Sequence, residues 1–312
     1  MDILTQQEWK IGDCLELIDE LDEDSIDLIV TSPPYWGLRD YGVDGQIGLE
    51  RSLKEYHTRL LEVTAECIRV LKPTGVMFWN HGDSYGGSGG SGGDYNKGGL
   101  REGQPKVGRS HDTNAKCLTM QNERLIIRMI DEQHWILRNR IIWNKPNGMP
   151  SSVTDRFSNN YEPVYMLVKS KHYWFNLDAV RKPYSKNTQK RYQYNFTGNK
   201  IYAVRNPFAR SDNEKIRENP LGKNPGDVWA IPTQSYPESH FATFPSALIK
   251  LVIKAACPEN GTVLDPFCGS GTVLEVCREL NRNAIGFELN PEYELLIKNR
   301  CGSDIPQLTS YF

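Results

Sequence analysis

Two short stretches of this chain carry the residue types that chemistry needs. Thr31-Ser32-Pro33-Pro34-Tyr35-Trp36 follows the apolar run Asp27-Leu28-Ile29-Val30, which reads as a buried strand. Neither proline can donate to a sheet ladder, and each fixes φ near −65°. The strand therefore stops in a stiff turn that presents one hydroxyl, one free carbonyl and two aromatic rings together. Alone, this turn also reads as a loop packed by aromatics. Far downstream, Gly261-Thr262-Val263-Leu264 reads as another buried strand. Asp265-Pro266-Phe267-Cys268-Gly269-Ser270-Gly271-Thr272 turns from it into a helix over 273–280. A further strand, 283–287, ends at Glu288.

A strand, a glycine turn, a helix and then an acid about 20 residues on is the plan of a nucleotide-type cofactor site. Glycines let the backbone approach the ligand, and the acid accepts hydrogen bonds from ribose hydroxyls. This turn lacks the third glycine of the dinucleotide fingerprint. Asp265 at its start would repel a pyrophosphate and attract an ammonium group. S-adenosylmethionine carries an ammonium, a sulfonium and a ribose, and no phosphate. The charge pattern therefore prefers that methyl donor to a nicotinamide dinucleotide.

The elements that must position these stretches follow from periodicity. Lys10-Ile11-Gly12-Asp13-Cys14 reads as a strand end turning into a helix over 15–21. Apolar residues at 53, 56, 60, 63, 67, 70 and 71 mark a helix over 52–72. It ends at Pro73-Thr74-Gly75, before a strand at 76–79. Residues 121–133 form a helix, 137–143 and 163–168 strands, and 247–257 an apolar helix. Asn290 caps a last helix with Pro291 at its first position. Strands alternating with helices predict a mostly parallel sheet, and open sheets of that kind bind ligands beyond the carboxyl ends of their strands.

Composition narrows the classes. The 312 residues suffice for one large α/β domain, or one with an inserted module. No apolar run approaches the roughly 20 residues that span a bilayer. The first residues lack the basic and apolar regions of a secretory leader, so a cytoplasmic protein without membrane partners is expected. Seven scattered cysteines without a Cys-x-x-Cys pair, and six dispersed histidines, suggest neither a disulfide framework nor a metal site. The formal net charge is −2, yet residues 181–226 hold 11 basic and 3 acidic residues, a local +8. Tyr184, Tyr192, Tyr194, Phe196 and Tyr202 are interleaved with those cations, a mixture suited to phosphate backbones and exposed bases. A solvated basic loop is the plainer alternative. The glycine- and serine-rich stretch at 86–99 specifies no single backbone conformation, and is expected to act as a flexible lid.

Ser-Pro-Pro-Tyr and Asp-Pro-Phe-Cys-Gly-Ser-Gly-Thr together resemble the catalytic and donor motifs of the amino-methylating DNA methyltransferases. Their order, with a basic region between, resembles the β arrangement of that family. Gly12-Asp13-Cys14, Trp143-Asn144-Lys145-Pro146 and His240–Pro245 look like further pieces of it. The resemblance implies a circularly permuted, Rossmann-like S-adenosylmethionine-dependent fold, with residues 1–180 and 227–312 as the catalytic domain and 181–226 as target-recognition region. It implies that Ser32 and the carbonyl of Pro33 grip the exocyclic amino group of a flipped base. Pro34 shapes the turn, Tyr35 stacks on the ring, and Trp36 extends that platform. For the donor it implies Asp265, with Phe267, Gly269, Gly271 and Thr272, at the methionine part. Glu288 would take the ribose hydroxyls, Asp13 and Cys14 would lie near the adenine, and Phe244, Pro245 and Ser246 would close the other side.

Serine at the first motif position is typical of N4-cytosine methylation and aspartate of N6-adenine methylation, a distinction that rests on resemblance. The partners implied are double-stranded DNA and a candidate cognate restriction endonuclease, in a prokaryotic or phage setting. Monomer and homodimer both stay open. A protein-glutamine methyltransferase normally carries its motifs in the reverse order. A non-catalytic DNA-binding module would use the basic region alone, and an oxidoreductase is disfavoured by Asp265.

Overall fold

The computed structural model describes residues 5–86, 114–148, 151–193, 219–234 and 244–302. The chain divides into two compact units, Met1–Phe175 with Asp227–Phe312, and Asn176–Gly226. The larger unit opens with β1 (Gln7–Ile11), α1 (Cys14–Asp19), β2 (Ile26–Thr31), α2 (Leu53–Val70) and β3 (Leu71–Asn80). Then come α3 (Gln121–Gln133), β4 (Ile136–Asn144) and β5 (Tyr161–Val168). In the smaller unit, α4 (Lys186–Gln193) follows a short 3-10 turn, Asp178–Val180, and Lys182 pairs with Lys223 in one antiparallel bridge. The larger unit resumes with β6 (Val228–Ala230), α5 (Ser246–Ala256), β7 (Thr262–Asp265), α6 (Thr272–Glu279), β8 (Asn283–Glu288) and α7 (Glu294–Cys301).

Eight strands form one sheet in the order β1-β8-β7-β2-β3-β5-β4-β6. It is mostly parallel, as expected. β5 runs antiparallel to both β3 and β4. Both faces are covered, which is why its central strands read as unbroken apolar runs. Leu28 and Val30 of β2 point into a core layer with Leu248, Val252, Val273 and Ile297, from α5, α6 and α7. Ile29 points the other way, into a layer with Ile18, Tyr56, Leu60 and Met129, from α1, α2 and α3.

The strand order places the two motifs together. β2 and β7 are parallel neighbours, with Leu28 opposite Val263 and Ile29 opposite Leu264. From β2 the chain crosses by α2 to β3 on one side, while from β7 it crosses by α6 to β8 on the other. That divergence opens a crevice at the carboxyl ends, beyond Thr31 and Asp265. The permuted order is accommodated because β8 and β1 are also parallel neighbours, and the Gly12 N–H donates to the Glu288 carbonyl at 2.8 Å.

Some expectations need correction. The helix expected over 52–72 ends at Val70, and Pro73 to Gly75 belong to β3. Pro73 pushes the preceding residue out of helical conformation, and a register shift opposite Ile26–Leu28 absorbs the turn. β6 and the reversal of β5 went unanticipated. The lid expected at 86–99 falls, beyond Gly86, outside the described residues, as does 194–218 in the basic region. Among the described residues, no helix is long and apolar enough to cross a membrane.

Candidate active site

The base turn is held from behind by side chains. The Tyr56 hydroxyl lies 2.7 Å from the Pro34 carbonyl, to which it donates, and 3.0 Å from Nε2 of His81. Tyr56 and His81 are fully buried, and burial lowers the imidazole pKa to about 3, so the ring stays neutral. Among the described residues no hydrogen bond is made to the Pro33 carbonyl, which remains available to a ligand. The Tyr35 ring lies against Gly82, where a Cβ would meet Tyr35 Cε2 at 2.8 Å. Its hydroxyl accepts from Ser32 Oγ at 3.4 Å and donates to Glu162 Oε2 at 3.0 Å. Burial, and after it the Glu162 charge, raises the Tyr35 phenol well above its ordinary value and keeps it protonated. Lys145 donates to Glu162 Oε1, and its ammonium sits 4.4 Å from the centroid of the Trp143 ring.

Trp36 does not join this platform. It is 1% exposed and packs in the core layer of α1, α2 and α3. Its indole N–H donates to the Glu50 carbonyl at 2.9 Å, and its backbone N–H to Gln121 Oε1 at 3.1 Å. Trp36 anchors the turn; Tyr35 faces the cavity.

The other half is built mainly on backbone. Gly269 and Gly271 have φ of +52° and +81°, values that side-chain-bearing residues seldom adopt. Their turn aims the Gly269 N–H at Glu288 Oε2, 2.9 Å away, while the Asn290 N–H donates to Glu288 Oε1 at 2.9 Å. Each carboxylate oxygen keeps a lone pair for a hydroxyl. Burial raises the Glu288 pKa. Asp265 is 2% exposed and accepts from Thr31 Oγ1 at 2.7 Å and from the Phe267 N–H at 3.2 Å. Burial raises its pKa from 3.8 to about 7, against those two hydrogen bonds. Asp13 caps α1 by accepting from the Leu15 N–H at 2.8 Å. Burial pushes the Cys14 thiol up to about 12, which makes it inert.

Both halves open into one cavity of about 300 Å³. Ser32, Pro33, Pro34 and Tyr35 line it at one end. Asp13, Cys14, Phe244, Asp265, Phe267, Gly269, Thr272 and Glu288 are also among its walls. Gly271, Pro245 and Ser246 are not among its walls. Gly271 packs against Ile297, and Ser246 starts α5 with its N–H donating to Gln234 Oε1 at 3.0 Å. The Thr272 hydroxyl is engaged by Arg300.

Trp143 and Lys145, from the Trp143–Pro146 stretch, also line the cavity, and further wall residues carry no sequence motif: Arg39, Tyr41 and Gln46 after the base turn, Asn80 and Glu162 at strand ends, and Gln234 and Tyr293. One signal was present, since Glu162 is a lone charge near the start of an otherwise apolar strand. As a donor set, a buried carboxylate at Asp265 and a half-buried one at Glu288, beside a glycine turn, fit a ligand with an ammonium and a ribose and no phosphate. S-adenosylmethionine meets that description.

An open α/β sheet with such a pocket at its switch point is an S-adenosylmethionine-dependent methyltransferase fold. The chain belongs to the N6/N4 DNA methylase family, whose sequence pattern matches residues 26–299. It is 37% identical over 297 residues to the Type II methyltransferase M.SmaI of Serratia marcescens, covering 93% of this chain and 89% of the relative. Similarity to M.Cfr9I of Citrobacter freundii is also 37%, over 290 residues and 93% and 85% of the two chains. The fold is shared with the solved PvuII DNA methyltransferase (cytosine-N4-specific), at a TM-score of 0.65 and 21% identity over 97% of this chain and 89% of that one. It is also shared with a putative DNA modification methylase from Thermus thermophilus complexed with S-adenosyl-L-methionine, at 0.55 and 22% over 96% of each chain. S-adenosylmethionine is the cofactor of this chain, and DNA amino groups are its target class.

Proposed function

We propose that this chain methylates the N4 amino group of a cytosine flipped out of duplex DNA, as the modification partner of a cognate restriction endonuclease. The observation that carries the reading is the pairing, in one cavity, of Ser32 and the Pro33 carbonyl with a stacking ring at Tyr35. Serine at this position is typical of the cytosine-directed members of the family.

Extrusion of the base costs a few kcal/mol, and stacking on Tyr35 returns roughly 1–3 kcal/mol. Ser32 Oγ and the Pro33 carbonyl accept the two N–H groups and aim the nitrogen lone pair into the cavity. S-adenosylmethionine supplies a methyl group on a positively charged sulfur. The protein's own contribution is positional: Asp265 attracts the ammonium, Glu288 the ribose hydroxyls, and Asp13, Cys14 and Phe244 bound the remaining walls. Residues 181–226, with their +8 balance and interleaved tyrosines, are the proposed target-recognition region. The test is mass spectrometry of nucleosides from DNA incubated with enzyme and donor. N4-methyldeoxycytidine is expected; N6-methyldeoxyadenosine alone would move the target to adenine.

A further inference from the structure

We propose that Tyr35 and Glu162 conduct away the proton that the target amino group loses on methylation, with Lys145 holding Glu162 in place. This rests on the reading of Ser32 as a grip on that amino group. An amino nitrogen that gains a methyl must shed a proton, and neither group gripping it is a good base. A serine hydroxyl and a proline carbonyl are neutral, whereas an aspartate in place of Ser32 would be a carboxylate at the amino group itself. A serine there passes the need for a base to another residue.

Glu162 is the carboxylate to which Ser32 is wired. A carboxylate only accepts, so Tyr35 must donate to Glu162, and Ser32 must then donate to Tyr35. Both O–H bonds thus run from the cavity towards Glu162, which leaves the lone pairs of Ser32 turned to the amino group. The 3.4 Å contact from Ser32 to Tyr35 is the longest link. The other wall carboxylates are committed elsewhere, Asp13 to Leu15, Asp265 to Thr31 and Phe267, and Glu288 to Gly269 and Asn290. Lys145 bonds the second oxygen of Glu162 and fixes its rotamer.

The step balances. The nitrogen lone pair forms the N–C bond, the C–S bond breaks with its pair left on sulfur, and the positive charge passes to nitrogen. Nitrogen gives a proton to Ser32 Oγ and keeps the N–H pair as its new lone pair. Ser32 passes its own proton to Tyr35, and Tyr35 passes its own to Glu162 Oε2. Glu162 is half-buried, so it returns one proton to solvent per turnover.

Single-turnover methylation by native, Tyr35→Phe, Glu162→Gln and doubly substituted enzyme tests this, with affinities for donor and DNA measured alongside. Phenylalanine keeps the stacking ring, and glutamine keeps the shape of the acid. Each single variant is expected to slow transfer by about 10- to 100-fold, at the lower end of general acid–base effects. Donor and DNA affinities should stay within about twofold, and the double variant should be no slower than the worse single one. The native enzyme should show a curved proton inventory in mixed H₂O and D₂O, and Tyr35→Phe a linear one. Native-like rates in either variant, additive losses, or losses that track DNA affinity would overturn the proposal. Should Glu162→Gln fail to fold, Tyr35→Phe carries the test alone. Fast Tyr35→Phe beside slow Ser32→Ala removes only the relay, whereas fast Ser32→Ala removes the grip itself.

Discussion

The two ends of the cavity are built by different means. The donor end is local: eight consecutive residues, Asp265–Thr272, supply an acid, two positive-φ glycines and a helix start, and the Glu288 carboxylate is fixed by backbone N–H groups. The base end is assembled over long range. Tyr56 from α2, backed by His81 after β3, holds the Pro34 carbonyl, Gln121 from α3 holds the Trp36 N–H, and Glu162 from β5 holds the Tyr35 hydroxyl. A site made of backbone shape needs few side chains to stay intact. One made of converging side chains can be loosened from many positions without touching the other end.

The comparison breaks most visibly at Asp265. Asp265→Asn keeps the shape and removes the charge, and donor affinity should fall by about 100-fold, on the order of 3 kcal/mol, with DNA affinity unchanged. Calorimetry checks both. The native carboxyl, faced by the Thr31 hydroxyl, the Phe267 N–H and Glu288, titrates near 7 rather than 3.8. Between those values the folded chain keeps a proton that the unfolded chain has lost, so stability without donor should decline as pH rises through that window. Donor affinity should run the opposite way, strengthening by up to about tenfold per pH unit until pH 7. Asp265→Asn should flatten both trends.

A smaller effect is expected at Tyr56. Tyr56→Phe leaves the Pro34 carbonyl and His81 Nε2 short of a buried partner, a cost of roughly 1–3 kcal/mol. Methylation should slow several-fold while donor affinity holds, as single-turnover kinetics beside calorimetry would show. An equal loss of donor affinity would mean that the ends are mechanically one. The smallest effect belongs to Gly271→Ala. It forces φ +81° on a residue whose Cβ would lie 3.3 Å from Ile297. About 1–2 kcal/mol of stability, a few degrees of Tm, should be lost in thermal melting.

What was legible in the sequence follows the same division. The donor turn could be read because its acid, its glycines and its helix start are contiguous, and because charge alone separates an ammonium from a pyrophosphate. The base turn could be read for the same reason, but its supports could not. Nothing in an apolar run such as 163–168 encodes strand direction, so the reversal that brings Glu162 back to Tyr35 was invisible. Trp36 misled for a related reason. Its ring looked like an extension of Tyr35, and only the tertiary contacts to Glu50 and Gln121 reveal it as an anchor. Three residues of β6 are too few for periodicity to register.

In the proposed mechanism one end of the cavity holds the donor while Ser32 holds the amino group. The most direct test is the single-turnover methylation rate of Ser32→Ala set against its donor dissociation constant. The rate should fall at least about 100-fold below native, a transition-state loss near 2.7 kcal/mol, with the donor constant within about twofold. A native-like rate, or a donor constant that rises in step with the lost rate, would contradict that mechanism.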